Sequence, residues 1–168
     1  MNLAVTERRS STAQSLKHKV SLITGSTSGI GLGIARALAA VGSAVILNGF
    51  GKTEEIEAAQ PTIKSEFGVA VAYSSADMSN PASIEEMIET ALGEFGSIDI
   101  LVNNAGIQHV SPLQEFPVAK WDAIIAINLS SAFHTTRLAL PSMIAKKWGR
   151  ITRPSSPPTS RLSTACSA

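Results

Sequence analysis

Three glycines at fixed spacing follow a short apolar run, and they are the residues of this chain best suited to bind a phosphate. Gly25, Gly29 and Gly31 come directly after Val20–Thr24 and open a segment in which apolar residues recur at helical spacing. Glycine adopts backbone angles that side chains forbid, and it lets main-chain amides approach an anion closely. The amino end of a helix also carries partial positive charge. A tight turn without a ligand is the alternative, but the flanking strand and helix favour a cradle for a nucleotide diphosphate.

Four short apolar runs alternate with helical patterns and would position this cradle. The predicted strands are Val20–Thr24, Ala44–Gly49, Val69–Ser74 and Ile98–Val102, and the predicted helices are Ile30–Val41, Thr53–Phe67, Pro81–Phe95 and Ala119–Ala145. Asn80 is typical of a helix start, and Gly42, Gly68 and Gly96 lie where helices should stop. Alternation of this kind is the βαβ signature of a parallel sheet. The sequence therefore predicts an α/β fold in which ligands bind beyond the carboxyl ends of the strands.

Composition divides the chain into three parts. We predict a disordered arm over residues 1–16, an incomplete nucleotide-binding domain over residues 17–151, and a disordered tail rich in Ser, Pro and Thr over residues 152–168. The prolines of this tail each remove a backbone donor, so the tail cannot serve as a central strand. The abrupt change of composition after Ile151 leads to the hypothesis of a frameshift near codon 152.

Two further motifs accompany the glycine pattern in a defined order. The pattern T-G-x-x-x-G-x-G from Thr24 to Gly31 is followed by Asn-Asn-Ala-Gly at 103–106, and then by Asn128 within a predicted helix. In this order and spacing the motifs resemble those of the short-chain dehydrogenase/reductase family over residues 17–151. Together with right-handed crossovers, the resemblance implies a truncated Rossmann-like, doubly wound parallel sheet of about four strands in the order 3-2-1-4.

Three other segments narrow this resemblance. They are similar to the bacterial D-3-hydroxybutyrate dehydrogenases of that family, and they are Leu47–Gly51, Ala105–His109 and Phe116–Ala123. The likeness implies hydride transfer from 3-hydroxybutyrate to NAD, which yields acetoacetate. One alternative is another short-chain oxidoreductase, such as an oxoacyl reductase. Alternatives of other classes are a non-catalytic nucleotide-binding fragment that pairs with intact subunits through Ala119–Ala145, and a degraded gene product.

The resemblance also assigns roles to single residues. It implies that ten of them bind NAD: Gly25, Thr27, Gly29, Ile30, Gly31, Phe50, Asp77, Met78, Asn104 and Gly106. It implies that the helix backbone at Asn128 orders a water of the proton relay, and that Gln108 contacts the substrate carboxylate. The residues themselves leave alternatives, because Asp77 suits a turn, Asn128 a cap or helix bend, and Gln108 a surface loop. The segment Asn48–Gly51 has neither an acid for the ribose nor an arginine for a 2′-phosphate, so the residues alone leave NAD against NADP open.

The catalytic pair of the family has no counterpart in this sequence. Family members use a tyrosine to transfer a proton, a lysine four residues later to lower the tyrosine pKa, and a serine to polarise the substrate. Tyr73 is the single tyrosine and has no lysine at that spacing, so we interpret it as structural. Ser156 reaches the position of the family serine only by ungapped counting. We therefore expect the chain to be catalytically incomplete, and another reading frame after Ile151 to contain the missing motif.

Composition excludes several classes of function. A formal net charge of +1 and a charged fraction of 16% provide no basic field for nucleic acid. The single cysteine, Cys166, excludes an intrachain disulfide framework, and the three histidines have no partner at metal-ligand spacing. No apolar run approaches the roughly 18 residues that span a bilayer. We expect a cytoplasmic protein that binds a small hydroxy acid, forms a homo-oligomer as the resemblance implies, and is poorly soluble because the edge of the fourth strand is unpaired.

Overall fold

Five parallel strands form one sheet at the centre of the protein. The computed structural model describes residues 15–154. The strands are β1 (Val20–Ile23), β2 (Ala44–Asn48), β3 (Val71–Ser74), β4 (Ile100–Val102) and β5 (Arg150–Thr152), and the helices are α1 (Gly29–Ala40), α2 (Thr53–Phe67), α3 (Pro81–Phe95), α4 (Val118–Ile125) and α5 (Ser131–Ala145). The spatial order of the strands is β3-β2-β1-β4-β5, which confirms the predicted α/β class and the predicted order of the first four strands.

The predicted number of about four strands is wrong, because β5 extends the sheet beyond β4. Leu101 lies opposite Ile151 in this parallel pair, and the Asn103 N–H donates to the Thr152 carbonyl at 2.9 Å. Strand β5 ends two residues before Pro154, so no proline removes a donor from its ladder. Thr152, the first residue of the predicted tail, therefore belongs to β5, where it pairs with Val102. Residues 1–14 of the predicted arm and residues 155–168 of the predicted tail, with Ser156 and Cys166, lie outside the described residues.

Apolar side chains cover both faces of the sheet. Helices α3 and α5 pack on one face, around a buried cluster that includes Leu22, Ile84, Ile88, Leu101 and Met143. Helices α1 and α2 pack on the other face, around Ile23, Ala35, Val45, Leu47 and Ile63. Successive residues of a strand point to opposite faces, which is why the neighbours Leu22 and Ile23 enter different clusters. The sheet is therefore doubly wound, as the resemblance implies.

The ends of the helices follow local sequence signals. The Asn80 side chain accepts the Ala82 N–H at 3.0 Å and caps α3, whose first residue is Pro81. Helices α2 and α3 end at Gly68 and Gly96, which adopt φ values of +67° and +75°. Only glycine takes this left-handed conformation without strain, so both glycines end their helices at the positions that the sequence predicts.

The long helix predicted over Ala119–Ala145 is divided in the structure. A π-helical segment, Ala126–Ser130, joins α4 to α5. Such segments disturb the regular backbone ladder and occur frequently at functional sites. Among the helices that the structure describes, none is both long enough and apolar enough to span a membrane.

Candidate functional site

A cleft with a volume of about 300 Å³ lies at the carboxyl ends of β1, β2 and β4. It occupies the edge of the sheet at which the sequence predicts ligand binding. Six of the residues implied to bind a cofactor line it, namely Gly25, Thr27, Phe50, Asp77, Met78 and Gly106. The other six predicted site residues are not part of its lining. We call this cavity the strand-end cleft.

Backbone atoms fill one side of the glycine cradle, and its other side is open. A Cβ at Gly31 would collide with the Gly25 carbonyl oxygen and lie 2.8 Å from Ser26 Cα, so this position admits no side chain. Gly25 has φ +62°, and its Cβ would lie 2.8 Å from Ala105 Cα. Gly29 has φ +55° with no atom within 4 Å of a built Cβ, so space remains in front of the turn. The three glycines therefore shape a backbone concavity rather than a filled turn.

The amino end of α1 borders this concavity. Ser28 lines the strand-end cleft and precedes α1, and its side chain makes no capping hydrogen bond within the described residues. Ile30, in the first turn, has 72% of its surface exposed. The N–H groups of a first helical turn and the positive end of the helix dipole together attract anions. This end of α1 can therefore hold a phosphate group.

Asn104 and Thr24 join the turn after β1 to the turn after β4. Thr24 Oγ1 accepts the N–H groups of Asn104 and Ala105, each at 3.0 Å. Asn104 Nδ2 donates to the carbonyl oxygens of Thr24 at 3.0 Å and of Gly25 at 2.8 Å. The Asn104 side chain therefore lies behind the cradle and fixes its shape, although the sequence predicts it as a cofactor ligand.

Asn48 connects the carboxyl ends of three strands, and sequence reasoning did not include it in the site. Its side chain is fully buried. Asn48 Oδ1 accepts the Gly25 N–H at 3.3 Å, while Nδ2 donates to the carbonyls of Ser74 at 3.2 Å and Ala76 at 3.0 Å. The signal in the sequence was a polar residue at the carboxyl end of an otherwise apolar strand. Ligands of open parallel sheets bind at this end of the strands.

The segment Gly49–Gly51 follows β2 and borders the cleft. The resemblance implies that Phe50 and Gly51 lie near the adenosine of NAD, so we call this segment the adenosine loop. Thr27 Oγ1 donates to the Phe50 carbonyl at 2.7 Å. Tyr73 Oη donates to the Gly49 carbonyl at 2.8 Å. Burial raises the pKa of the Tyr73 phenol above its ordinary value of 10.0, so the group stays protonated and able to donate at neutral pH. From the sequence we interpret Tyr73 as a structural residue. In the structure its hydroxyl forms a hydrogen bond to the adenosine loop.

Asp77 lies in the cleft lining and also shapes a turn. Its Oδ1 accepts the Ser79 N–H at 2.8 Å and the Ser79 hydroxyl at 2.7 Å. Met78 beside it is buried. The turn interpretation of Asp77 and its implied role in NAD binding are therefore compatible, because the turn uses one carboxylate oxygen and holds the residue at the edge of the cleft.

Asn128 lies in the π-helical segment and holds the loop that follows β4. Its Oδ1 accepts the Ile107 N–H, and its Nδ2 donates to the Ile107 carbonyl, both at 2.8 Å. A Cβ at Gly106 would lie 3.5 Å from Asn128 Oδ1, so Gly106 passes close to this clamp. Gln108 follows Ile107 in the sequence. Its side chain is exposed and does not line the cleft. The structure thus brings Asn128 and Gly106 together and leaves Gln108 on the surface.

A tyrosine with a lysine four residues later does not occur within the described residues. Within residues 15–154, Tyr73 is the only tyrosine, and position 77, four residues later, is Asp77. No group of three potential metal ligands occurs in that same part of the chain. The arrangement can hold an anionic nucleotide against backbone amides.

Two curated relatives are similar in sequence to most of this chain. The D-beta-hydroxybutyrate dehydrogenase of Cupriavidus necator is 59% identical over 136 residues, which are 81% of this chain and 52% of the relative. The D-beta-hydroxybutyrate dehydrogenase of Rhizobium meliloti is 50% identical over 133 residues, which are 79% of this chain and 52% of the relative. The chain therefore spans about half the length of these curated relatives.

A solved structure and a protein-family model also match this chain. A metagenomic short-chain oxidoreductase in complex with NADP superposes with a TM-score of 0.79 and 35% identity, over 85% of this chain and 64% of that chain. The family described as short chain dehydrogenase matches residues 19–164. This match covers most of the chain and includes the glycine cradle, the Asn-Asn-Ala-Gly turn and Asn128. The chain therefore belongs to the short-chain dehydrogenase family.

Proposed function

We propose that residues 17–151 form the nucleotide-binding part of an NAD-dependent D-3-hydroxybutyrate dehydrogenase, which interconverts 3-hydroxybutyrate and acetoacetate. The observation that carries this proposal is the glycine cradle, in which Gly31 admits no Cβ and Gly29 faces open space beside an uncapped helix end. The two relatives at 59% and 50% identity, both named for this activity, support the choice of substrate.

The residues of the strand-end cleft fit a dinucleotide. The main-chain amides near Gly29 and the amino end of α1 would hold its diphosphate. The adenosine loop and Asp77 would contact its adenosine half, since both border the cleft on the side of β2 and β3. When bound, NAD would accept a hydride from the alcohol carbon of the substrate. The clamp from Asn128 to Ile107 would hold the loop after β4 in place beside the nicotinamide half.

We propose NAD rather than NADP because of the residues after β2. A 2′-phosphate needs a cation close to the adenosine ribose. The adenosine loop contributes none, and the neighbouring Lys52 forms an ion pair with Glu55 at 3.5 Å. Phe50, which is 67% exposed, adds an apolar side chain to this loop rather than a cation. The solved relative that contains NADP makes this preference the sharpest part of the proposal to test.

We also propose that the 168-residue chain binds the dinucleotide but does not turn over. Loss of general acid-base catalysis alone removes about 10² to 10⁴ in rate. The resemblance implies that Gln108 would contact the substrate carboxylate. Tyr73, however, donates to a backbone carbonyl and has no lysine four residues later, so it does not replace the proton-transferring pair. The chain also spans only 52% of the length of each named relative. Binding and catalysis are therefore separable in this protein.

The test measures binding first and turnover second. We expect isothermal titration of the purified chain to show NADH binding tighter than NADPH binding, and no NADH formation with D-3-hydroxybutyrate and NAD. A version whose reading frame is restored after Ile151 should form NADH under the same conditions. A folded chain that binds neither dinucleotide would contradict the cofactor proposal. Turnover by the 168-residue chain would contradict the proposed inactivity.

A second candidate function is pairing with another short-chain dehydrogenase subunit. Large apolar side chains are exposed along α4 and the segments after it, and they are Val118, Trp121, Leu129, Phe133 and Ile144. Contiguous exposed apolar surface marks protein interfaces. We expect this chain, mixed with an intact short-chain dehydrogenase subunit, to sediment with it as a mixed assembly, and Trp121→Lys to abolish that assembly. A mixture in which the two chains sediment separately at micromolar concentration would oppose the pairing.

A further inference from the structure

The adenosine loop is held by hydroxyl groups from two other elements. Tyr73 reaches it from β3 and Thr27 reaches it from the turn before α1. The two donors bind consecutive carbonyls, those of Gly49 and Phe50, at 2.8 Å and 2.7 Å. Each donor fixes one peptide unit of the loop.

The loop needs this support because of its composition. Gly49 and Gly51 flank Phe50, and glycine has more accessible backbone conformations than any other residue. Gly49 adopts φ +141°, a region that residues with side chains rarely occupy, and a Cβ there would lie 3.0 Å from Thr27 Oγ1. A glycine-flanked aromatic residue whose ring is 67% exposed has little packing of its own to define where it points. The orientation of the Phe50 ring therefore depends on the hydrogen bonds to its backbone.

The position of Tyr73 in the sheet explains how its hydroxyl reaches the loop. Tyr73 lies opposite Leu47 in the parallel pairing of β2 and β3. Its ring extends toward the carboxyl ends of the strands, and its hydroxyl meets the carbonyl of Gly49, two residues beyond its register partner. The ring is half-buried and packs against the apolar cluster of α1 and α2. The sheet itself therefore anchors one of the two clamps on the loop.

We propose that Tyr73 is a positioning residue for the adenosine half of the dinucleotide, acting through its hydrogen bond to the Gly49 carbonyl. This inference rests on the proposed function, because it assumes that the strand-end cleft binds a dinucleotide. Tyr73 sets the conformation of the adenosine loop, the loop sets the direction of the Phe50 ring, and the ring supplies an aromatic surface for the adenine base. Tyr73 takes no part in proton transfer.

The first experiment compares two ligands on the intact 168-residue chain. ADP-ribose carries the adenosine half and the diphosphate, whereas inorganic pyrophosphate probes the glycine cradle alone. We expect Tyr73→Phe, which keeps the ring and removes the hydroxyl, to weaken ADP-ribose binding about five-fold in isothermal titration, as the loss of one hydrogen bond implies. Pyrophosphate binding should stay unchanged. The control Thr62→Val removes an exposed hydroxyl of α2 that, within the described residues, donates to the Ala58 carbonyl of its own helix, and it should change neither affinity.

The outcomes separate the two proposals. Wild-type chain that binds no ADP-ribose would overturn the proposed function and this inference with it. Wild-type chain that binds, with a Tyr73→Phe variant of equal affinity, would overturn the inference alone. Equal weakening of ADP-ribose and pyrophosphate by Tyr73→Phe would also overturn it, because the effect would then be a general loss of structure.

A spectroscopic measurement keeps the proposal testable without a substitution. Tyr73 is the single tyrosine among 168 residues, so biosynthetic labelling with 3-fluorotyrosine places one fluorine probe in the protein. We expect ADP-ribose to shift the fluorine resonance and pyrophosphate to leave it in place. A resonance that ADP-ribose does not move, under conditions where titration shows binding, would overturn the positioning role.

Discussion

Two polar networks tie β1 to β4, one at each end of these strands, and they are built from different chemistry. At the carboxyl ends the ties are the hydroxyl of Thr24 and the amide of Asn104, which bond to backbone groups. At the amino ends the tie is the carboxylate of Asp99, which is fully buried. Its Oδ2 accepts the Val20 N–H at 3.0 Å, and its Oδ1 lies 3.4 Å from Lys146 Nζ.

The difference shows why only one of these ends forms a candidate site. The carboxylate of Asp99 meets two cations, with Lys19 Nζ 3.7 Å away in addition to Lys146, so its charge is satisfied within the network. Neutral ties at the other end hold the backbone without cancelling the positive end of α1. That end of the helix remains able to bind an anion. A closed charged network therefore serves stability, and a neutral network with an open backbone serves binding.

The largest expected effect comes from filling the cradle. Gly31→Ala would place a Cβ against the Gly25 carbonyl oxygen and 2.8 Å from Ser26 Cα, and backbone atoms cannot move aside as a flexible side chain can. We expect NADH binding to weaken by at least about 100-fold, which corresponds to roughly 2.7 kcal/mol. Isothermal titration with NADH measures this change.

The same helix offers a matched control for this substitution. Gly33 lies two residues later in α1, and a built Cβ there has no atom within 4 Å. We expect Gly33→Ala to leave NADH affinity unchanged and to raise the free energy of unfolding by about 0.5 to 1 kcal/mol, because alanine is a better helix former than glycine. A Gly31→Ala variant that binds as well as Gly33→Ala would show that the cradle does not limit binding.

The second effect separates stability from binding at the other end of the strands. Asp99→Asn keeps the shape of the side chain but removes the charge that faces Lys19 and Lys146. We expect the free energy of unfolding in urea to fall by about 1 to 3 kcal/mol, the usual cost of weakening buried hydrogen bonds to a charged group. ADP-ribose affinity, measured well below the melting temperature, should not change.

An exposed carboxylate gives the comparison for Asp99. Asp122 lies on the surface of α4, and Asp122→Asn should leave both stability and affinity at the wild-type values. In Asp99→Asn, the loss of ADP-ribose binding free energy could exceed the loss of unfolding free energy. That result would place the amino-end network in the binding site, and the contrast between the two strand ends would fail.

Local sequence signals predicted the parts of this structure that depend on backbone geometry alone. Gly25 requires glycine because of its positive φ, and Gly31 because a Cβ would meet Gly25 and Ser26, a few residues earlier. Asn80, Gly68 and Gly96 mark helix ends through bonds to their own helices. Such constraints are visible as short spacings in the chain. The fifth strand was missed for the opposite reason, since Arg150–Thr152 is ordered by β4, about 50 residues earlier in the sequence.

The residues missing from the predicted site have in common that their partners are distant in sequence. Asn48 binds Gly25 and Ala76, which are 23 and 28 residues away, and Tyr73 binds Gly49, which is 24 residues away. The pairing register of β1, β2 and β3 creates these contacts, and no spacing within one segment encodes it. Sequence reasoning predicted a site at the edge of the sheet where the cleft lies, but it could not identify the side chains that cross between strands to shape that edge.

The smallest expected effect concerns the protonation of Tyr73 and sharpens the contrast between neutral and charged ties. Burial raises the pKa of its phenol above 10.0 in the folded chain, so the neutral form is favoured by folding. The resulting stability is fully present below about pH 10 and is lost as the pH rises through the higher pKa of the folded state. We expect the free energy of unfolding in urea, followed by tryptophan fluorescence, to fall less steeply above pH 10 in Tyr73→Phe than in wild type. Identical slopes in the two proteins would mean that the phenol does not depend on its protonated form to hold the adenosine loop, and that a neutral donor is not required at this end of the sheet.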